Sequence, residues 1–171
     1  MKKIFNKLFK TKKEKTHFYP TDVWSEIAEK YHIREKLWHL FKQLDDVYEI
    51  GSGIVIYGEI YGPGIQKNYD YGLKEIEYAG FDVTIDGEYK PGSVSRSLHK
   101  MLGLNYVPVL AVEYYTDELL TRFTFDKIEG TKVPHEGIVI KAIDGDRRKI
   151  AKVINPQYLI YSENHDVGDS H

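Results

Sequence analysis

Apolar positions follow two different periods along the chain. Between Val23 and Leu44 they recur every three or four residues, at Trp24, Ile27, Ala28 and Tyr31 and then at Leu37, Leu40, Phe41 and Leu44. That is the period of a helix with one buried face. The spacing predicts one long helix or two short ones with a break near His32, covering a sheet, and places the aromatic residues in the core rather than against a ligand. Pro20-Thr21-Asp22 supplies the start, with Thr21 as N-cap and Asp22 near the positive end of the helix dipole. From Ile54 the period shortens. Ile54-Val55-Ile56-Tyr57, Glu75-Ile76-Glu77-Tyr78, Phe81 to Ile85 and Val107 to Tyr114 read as strands, and Val94 to Leu102, after a Pro91-Gly92-Ser93 loop, as a helix. Asp86-Gly87 marks a tight hairpin turn, and Asp144-Gly145 marks a second between Gly137-Lys141 and Lys149-Val153. The expected fold class is α+β, a largely antiparallel sheet with flanking helices. Residues 21–161 read as one domain, after a lysine-rich extension over 1–20 and before a polar tail over 162–171 that is expected to fray.

Composition narrows the classes. A chain of 171 residues can bury roughly two-thirds of its surface in one domain. No run approaches the ~20 apolar residues that span a bilayer, and the start lacks the apolar core of a secretory signal. The absence of cysteine excludes disulfides, thiolate catalysis and cysteine-held zinc. The expectation is a soluble, intracellular (cytoplasmic) protein. Its net charge of -2 conceals an uneven distribution: residues 1–15 hold seven lysines and one glutamate, leaving the rest at about -8. Nucleic acid would therefore have to be met by a local cluster of lysine and arginine. Ile4, Phe5, Leu8 and Phe9 fall on one face of an expected short amphipathic helix, a candidate polyanion or membrane-surface contact or a bland solvated extension.

Candidate chemistry lies in two segments. In Gly58-Glu59-Ile60-Tyr61-Gly62-Pro63-Gly64-Ile65-Gln66 an apolar strand delivers a carboxylate and a ring into a loop whose glycines permit close approach to a ligand. Taken alone, it also suits an ordinary strand end and turn. In His135-Glu136-Gly137-Ile138-Val139-Ile140-Lys141 an acid precedes an apolar strand and a lysine ends it. Glu136 is a candidate magnesium ligand, since that ion prefers oxygen donors, and Lys141 and Lys152 are candidate phosphate contacts. A two-residue turn at Asp144-Gly145 puts both lysines on one face of the hairpin and Glu136 on the other, unless a bulge intervenes. A plain hairpin with solvated charges is the simpler reading of that segment. The seven histidines show no metal-binding pair, and neither a nucleophile elbow nor a Walker loop occurs.

In combination and in order, these segments resemble the RNA ligase family of covalent nucleotidyltransferases. Glu59-Ile60-Tyr61-Gly62 with its Pro-Gly-Ile-Gln continuation resembles motif III, Phe81-Asp82-Val83 motif IIIa, Glu136 to Lys141 motif IV, and Lys152 with Asn155 and Tyr158-Leu159 motif V. The resemblance covers about Val23 to Ile160 and implies ATP and magnesium as cofactors. It implies an RNA partner with a 5′-phosphate and a 3′-hydroxyl, sealed through a lysine-adenylate. Glu59, Glu136, Lys141 and Lys152 would be the catalytic residues, Glu136 the metal ligand, and Tyr61, Gly62 and Lys152 the nucleotide contacts, with Tyr61 as the stacking ring.

Two departures qualify this picture. Ile154 stands where family members often carry a second motif V lysine. More important, no Lys-x-Asp-Gly occurs anywhere in the sequence, so the motif I nucleophile is missing, and the motif Ia arginine is missing too. The resemblance thus implies an ATP-dependent RNA ligase domain that is incomplete in this chain, with motif I supplied by a separate polypeptide or another reading frame. The alternatives are a non-catalytic nucleotide- or RNA-5′-end-binding relative, a degenerate product, or a fragment of a DNA ligase or capping-type enzyme.

Overall fold

The computed structural model describes residues 8–10, 23–125, 127–128, 131–142 and 149–169. Its elements run β1 (Leu8–Lys10), α1 (Val23–Lys30), α2 (Ile33–Tyr48), β2 (Ile54–Tyr61), β3 (Gln66–Lys67), β4 (Glu77–Ile85), β5 (Glu88–Tyr89), α3 (Gly92–Met101), α4 (Asp117–Thr124), β6 (Gly137–Lys141), β7 (Ile150–Ile154), α5 (Pro156–Asn164) and β8 (Gly168–Asp169). The expected N-cap at Thr21, the helical dipole partner Asp22 and the Asp144-Gly145 turn lie outside the described residues. The chain divides into two compact units, Met1–Ile60 with Glu77–Val107, and Tyr61–Ile76 with Pro108–His171.

In the first unit the helical period resolves into two helices. His32 takes a left-handed backbone, φ 51°, and ends one helix where the next begins. Ile27 and Ala28 of α1 and Leu37, Leu40 and Phe41 of α2 are buried as the spacing predicts, Ile33 joins them, and Trp24, Tyr31 and Leu44 of the expected stripe are only half-buried. The sheet runs β1-β2-β4-β5. Its two central strands are buried on both faces, with Ile54, Ile56, Tyr78 and Val83 fully enclosed; burying each such side chain contributes about 1.5–3 kcal/mol. That burial explains why β2 reads as a continuous apolar run rather than an alternating one. Asp86 and Gly87, at φ 55° and 83°, form the expected turn, and Thr84 and Ile85 pair with Tyr89 and Glu88. The Asp86 carboxylate also accepts backbone N–H bonds from Gly51, Ser52 and Gly53 at 2.7–3.2 Å, fastening the loop before β2. These bonds, the one from Ser52 foremost, hold its pKa below the usual carboxylate value.

Two glycines set the spacing of the first unit's core. A Cβ on Gly80 would lie 1.9 Å from His99 Nε2, and one on Gly58 would lie 2.2 Å from the Tyr78 ring. α3 therefore packs onto β4 with the His99 ring over Gly80. His99 Nδ1 lies 2.8 Å from Ser95 O and Nε2 lies 3.3 Å from the Tyr78 hydroxyl, an arrangement that suits a neutral ring donating through Nδ1 and accepting at Nε2. Burial lowers its pKa, outweighing the Ser95 bond and the nearby Asp82 carboxylate, which both act to raise it.

Four expectations are corrected. Leu8–Lys10 is a strand paired antiparallel with β2, Phe9 opposite Ile56, not part of an amphipathic helix. The two strands expected over Glu75 to Ile85 are one, because Ala79 and Gly80 continue the extended backbone. Val107 to Tyr114 has strong strand propensity, yet no described residue from Val107 to Tyr115 lies in a strand, and Val109, Leu110, Val112 and Tyr114 are exposed. Propensity without a ladder partner does not make a strand. Finally, the segment after Ser162 continues α5 and then pairs as β8 with β3, Lys67 opposite Gly168.

The second unit is held by shorter pieces. Thr116 caps α4 by accepting from Leu119 N at 3.1 Å, and α4 packs on β6. Asn155 is fully buried; its oxygen accepts from Gln157 N at 2.9 Å and its amide donates to His135 O at 3.0 Å. This one side chain caps α5 and ties it to the residue before Glu136.

Candidate functional site

The β6–β7 hairpin carries three of the four candidate catalytic residues. Val139 pairs with Lys152, Lys141 with Ile150, and Gly137 with Ile154. Side chains alternate along a strand, so Val139, Lys141, Ile150, Lys152 and Ile154 share one face. A two-residue turn would have set Lys141 opposite Arg148 rather than Ile150. The shift is an even number of residues, so both lysines keep the face expected for them.

Glu136 does not keep its expected face. Alternation would send it away from the lysines, yet its Oε1 lies 2.5 Å from Lys152 Nζ. The cause is Gly137, whose φ of +151° no side-chain-bearing residue adopts readily and whose Cβ would fall 2.0 Å from Val153 O. The backbone turns at that glycine and delivers Glu136 to the lysine side, with its carbonyl accepting from Asn155 N at 2.9 Å. No bulge is needed. Glu136 thus meets Lys152 next to a glycine whose conformation the strand pattern does not display.

Sequence reasoning passed over the surroundings of these lysines. Val139 is 56% exposed, Ile150 44% and Ile154 37%, so the lysine face is also an uncovered apolar face. The sequence shows these isoleucines and valines only as an apolar strand, with nothing to say which side is covered. The exposure becomes visible only once the hairpin is seen as a two-stranded sheet.

The glycine-rich loop is shaped chiefly by its own chain. A Cβ on Gly62, at φ +120°, would meet Glu75 O at 2.8 Å, so the close approach there is to backbone. Tyr61 packs edge-on to Tyr71 at 5.5 Å, and Tyr71 in turn to Tyr69 at 4.5 Å. Tyr69 is buried and donates to Pro134 O at 2.9 Å; burial first, then nearby Tyr158 and Glu136, raise its pKa well above the ordinary phenol value. Glu59 is half-buried on β2 in the first unit, while Tyr61, Gly62, Glu136, Lys141 and Lys152 belong to the second. Asp82, in the motif IIIa-like stretch, is a buried carboxylate of β4.

A metal fits this chain only in a limited sense. Among the described residues no group of three histidine or acidic side chains is placed to hold an ion. Glu136 supplies one partly exposed carboxylate beside a lysine. Such a donor suits magnesium bound mainly through water and substrate phosphates rather than in a protein cage.

The fold has known counterparts. Naegleria gruberi RNA ligase superposes with a TM-score of 0.72 in a variant bound to AMP and Mn, at 22% identity over 92% of this chain and 48% of that one. A form with pyrophosphate gives a TM-score of 0.70 at 22% identity over 93% and 48%, and a variant with ATP and Mn gives 0.64 at 25% identity over 81% and 40%. The fold is thus a mixed α/β one of the kind found in RNA ligase nucleotidyltransferases, and the chain spans about half the length of these solved relatives. No curated protein matches it significantly. The family model for RNA ligase matches residues 4–154, most of the sequence, and the protein belongs to that family.

Proposed function

We propose that the chain supplies the nucleotide-holding part of an ATP-dependent RNA ligase, and that the Lys-x-Asp-Gly nucleophile comes from polypeptide outside these 171 residues. The observation that carries this reading is the hairpin face, where Glu136, Lys141 and Lys152 stand with exposed Val139 and Ile150. A nucleotide has an apolar base and a charged phosphate chain, and this face offers a partner for each. Lys141 and Lys152 would offset phosphate charge, and the apolar side chains would cover the base. Magnesium, when bound, would further neutralise the phosphates. Glu136 would be its protein ligand, releasing Lys152 from their ion pair. Glu59 and Tyr61 keep their nucleotide assignments from the resemblance. RNA ends are the substrate class that the family implies.

Titration calorimetry with magnesium–ATP is expected to show binding that weakens about tenfold or more in Lys152→Met and in Lys141→Met, the range for a lost charge-assisted contact. Equal heats for the wild type and both variants would remove the hairpin from the site.

A further inference from the structure

A second feature of the same unit lies away from the hairpin lysines. The loop from Pro63 to Asp70 and the end of α5 enclose an open groove of about 640 Å³. Gln66 lines it, and the Gln66 Oε1 is shielded from water with no hydrogen-bond partner among the described residues. A buried acceptor left unpaired is costly, and a ligand donor would recover that cost. Gln66 itself is only half-buried and is one of the residues that line the groove.

The other walls are built to hold a shape. Asn68 donates its amide to His165 O at 2.9 Å, which uses its nitrogen and leaves its oxygen as an acceptor. Tyr161 and His165 stack at 4.0 Å with their planes 14° apart. Tyr69, fixed through its hydroxyl, backs the groove and packs edge-on against Tyr161. β3–β8 pairing and the Lys67–Asp166 ion pair fasten the loop to the residues following α5. The result is a flat aromatic platform beside hydrogen-bond acceptors.

We propose that this groove is a subsite for an amino-bearing nucleobase of the RNA strand. Its exocyclic amine donates to Gln66 Oε1 and its ring stacks on the Tyr161–His165 pair. Adenine, cytosine and guanine carry the required amine, and uracil does not. Neither lysine nor arginine lines the groove, and Asp70 does. A free triphosphate is therefore disfavoured, whereas a base whose phosphates are held elsewhere carries no such charge into it. The proposal rests on the RNA ligase reading.

Fluorescence anisotropy with short single-stranded RNA tests it, comparing oligoadenosine with the same length of oligo(purine riboside), which differs only by hydrogen in place of the 6-amino group. The wild-type chain is expected to favour oligoadenosine about fivefold to tenfold, the range for one buried hydrogen bond. Gln66→Leu is expected to bring that ratio to about one with an unchanged or higher thermal midpoint, since it removes the unpaired acceptor. His165→Ala is expected to weaken both RNAs alike. Equal binding of the two RNAs by the wild type, a preference that survives Gln66→Leu, or its abolition by excess magnesium–ATP overturns the subsite and leaves the ligase reading standing. Failure to bind either RNA, with magnesium–ATP still bound at the hairpin, removes both the subsite and RNA contact by this chain.

Discussion

The core of the first unit and the β6–β7 hairpin of the second are built from the same kinds of residue to opposite ends. Around β2 and β4, isoleucine, valine and tyrosine are enclosed on both faces, and glycines at 58 and 80 are needed to let the Tyr78 and His99 rings approach. On the hairpin, valine and isoleucine alternate with lysines and remain uncovered. An interior that tolerates no added atom defines a scaffold. An apolar strip left open beside paired charges is the kind of surface that the proposed nucleotide contact requires.

The comparison can be broken at either end, and the largest effect is expected in the scaffold. Gly80→Ala places a methyl 1.9 Å from the His99 ring, and overpacking of a buried site costs about 1–3 kcal/mol or more. Chemical denaturation should show an unfolding free energy lowered by at least about 1 kcal/mol, seen as a lower midpoint at unchanged slope. A wild-type midpoint would mean that α3 does not lie tightly on β4.

A smaller effect should follow pH. Burial lowers the pKa of His99, so below the unfolded value of about 6.5 the unfolded chain takes up the proton more readily than the native one. Stability from this group is complete above about pH 6.5 and declines as the pH falls toward the folded pKa. Thermal melts between about pH 8 and pH 5 should show the midpoint falling only on the acid side. A midpoint that rises on acidification would show His99 to be protonated in the native state.

The smallest effect on stability is expected on the hairpin. Val139→Ser, at a position 56% exposed, should change unfolding free energy by less than about 0.5 kcal/mol. It should nonetheless weaken magnesium–ATP binding in calorimetry, because it alters the surface proposed to cover the base. A large loss of stability would place Val139 in a core and remove the contrast between the two regions.

How legible each region was follows from the same physics. The helical stripe of α1 and α2, the break at His32 and the Asp86-Gly87 turn are local signals, and each appears where its residues predicted it. Val107 to Tyr114 misled because strand propensity reports a fit to neighbours that this segment lacks among the described residues. β3 and β8, two residues each and separated by about a hundred positions, carry no period to detect. The candidate residues themselves stood out by motif. Their geometry did not, because Glu136 precedes the strand at a glycine with φ +151°, where strand alternation no longer says which way its side chain goes. Asn155, named only within a motif, proved to be the cap that fixes α5 beside them.

On the proposed reading, this chain holds the nucleotide but does not supply the nucleophile. Incubating the purified chain with labelled ATP and magnesium, then measuring intact mass and retained label after denaturation, tests it most directly. An unshifted mass and no label are expected, with an adduct forming only when polypeptide bearing Lys-x-Asp-Gly is added. A covalent adenylate on this chain alone would contradict it and would place the nucleophile among its own lysines.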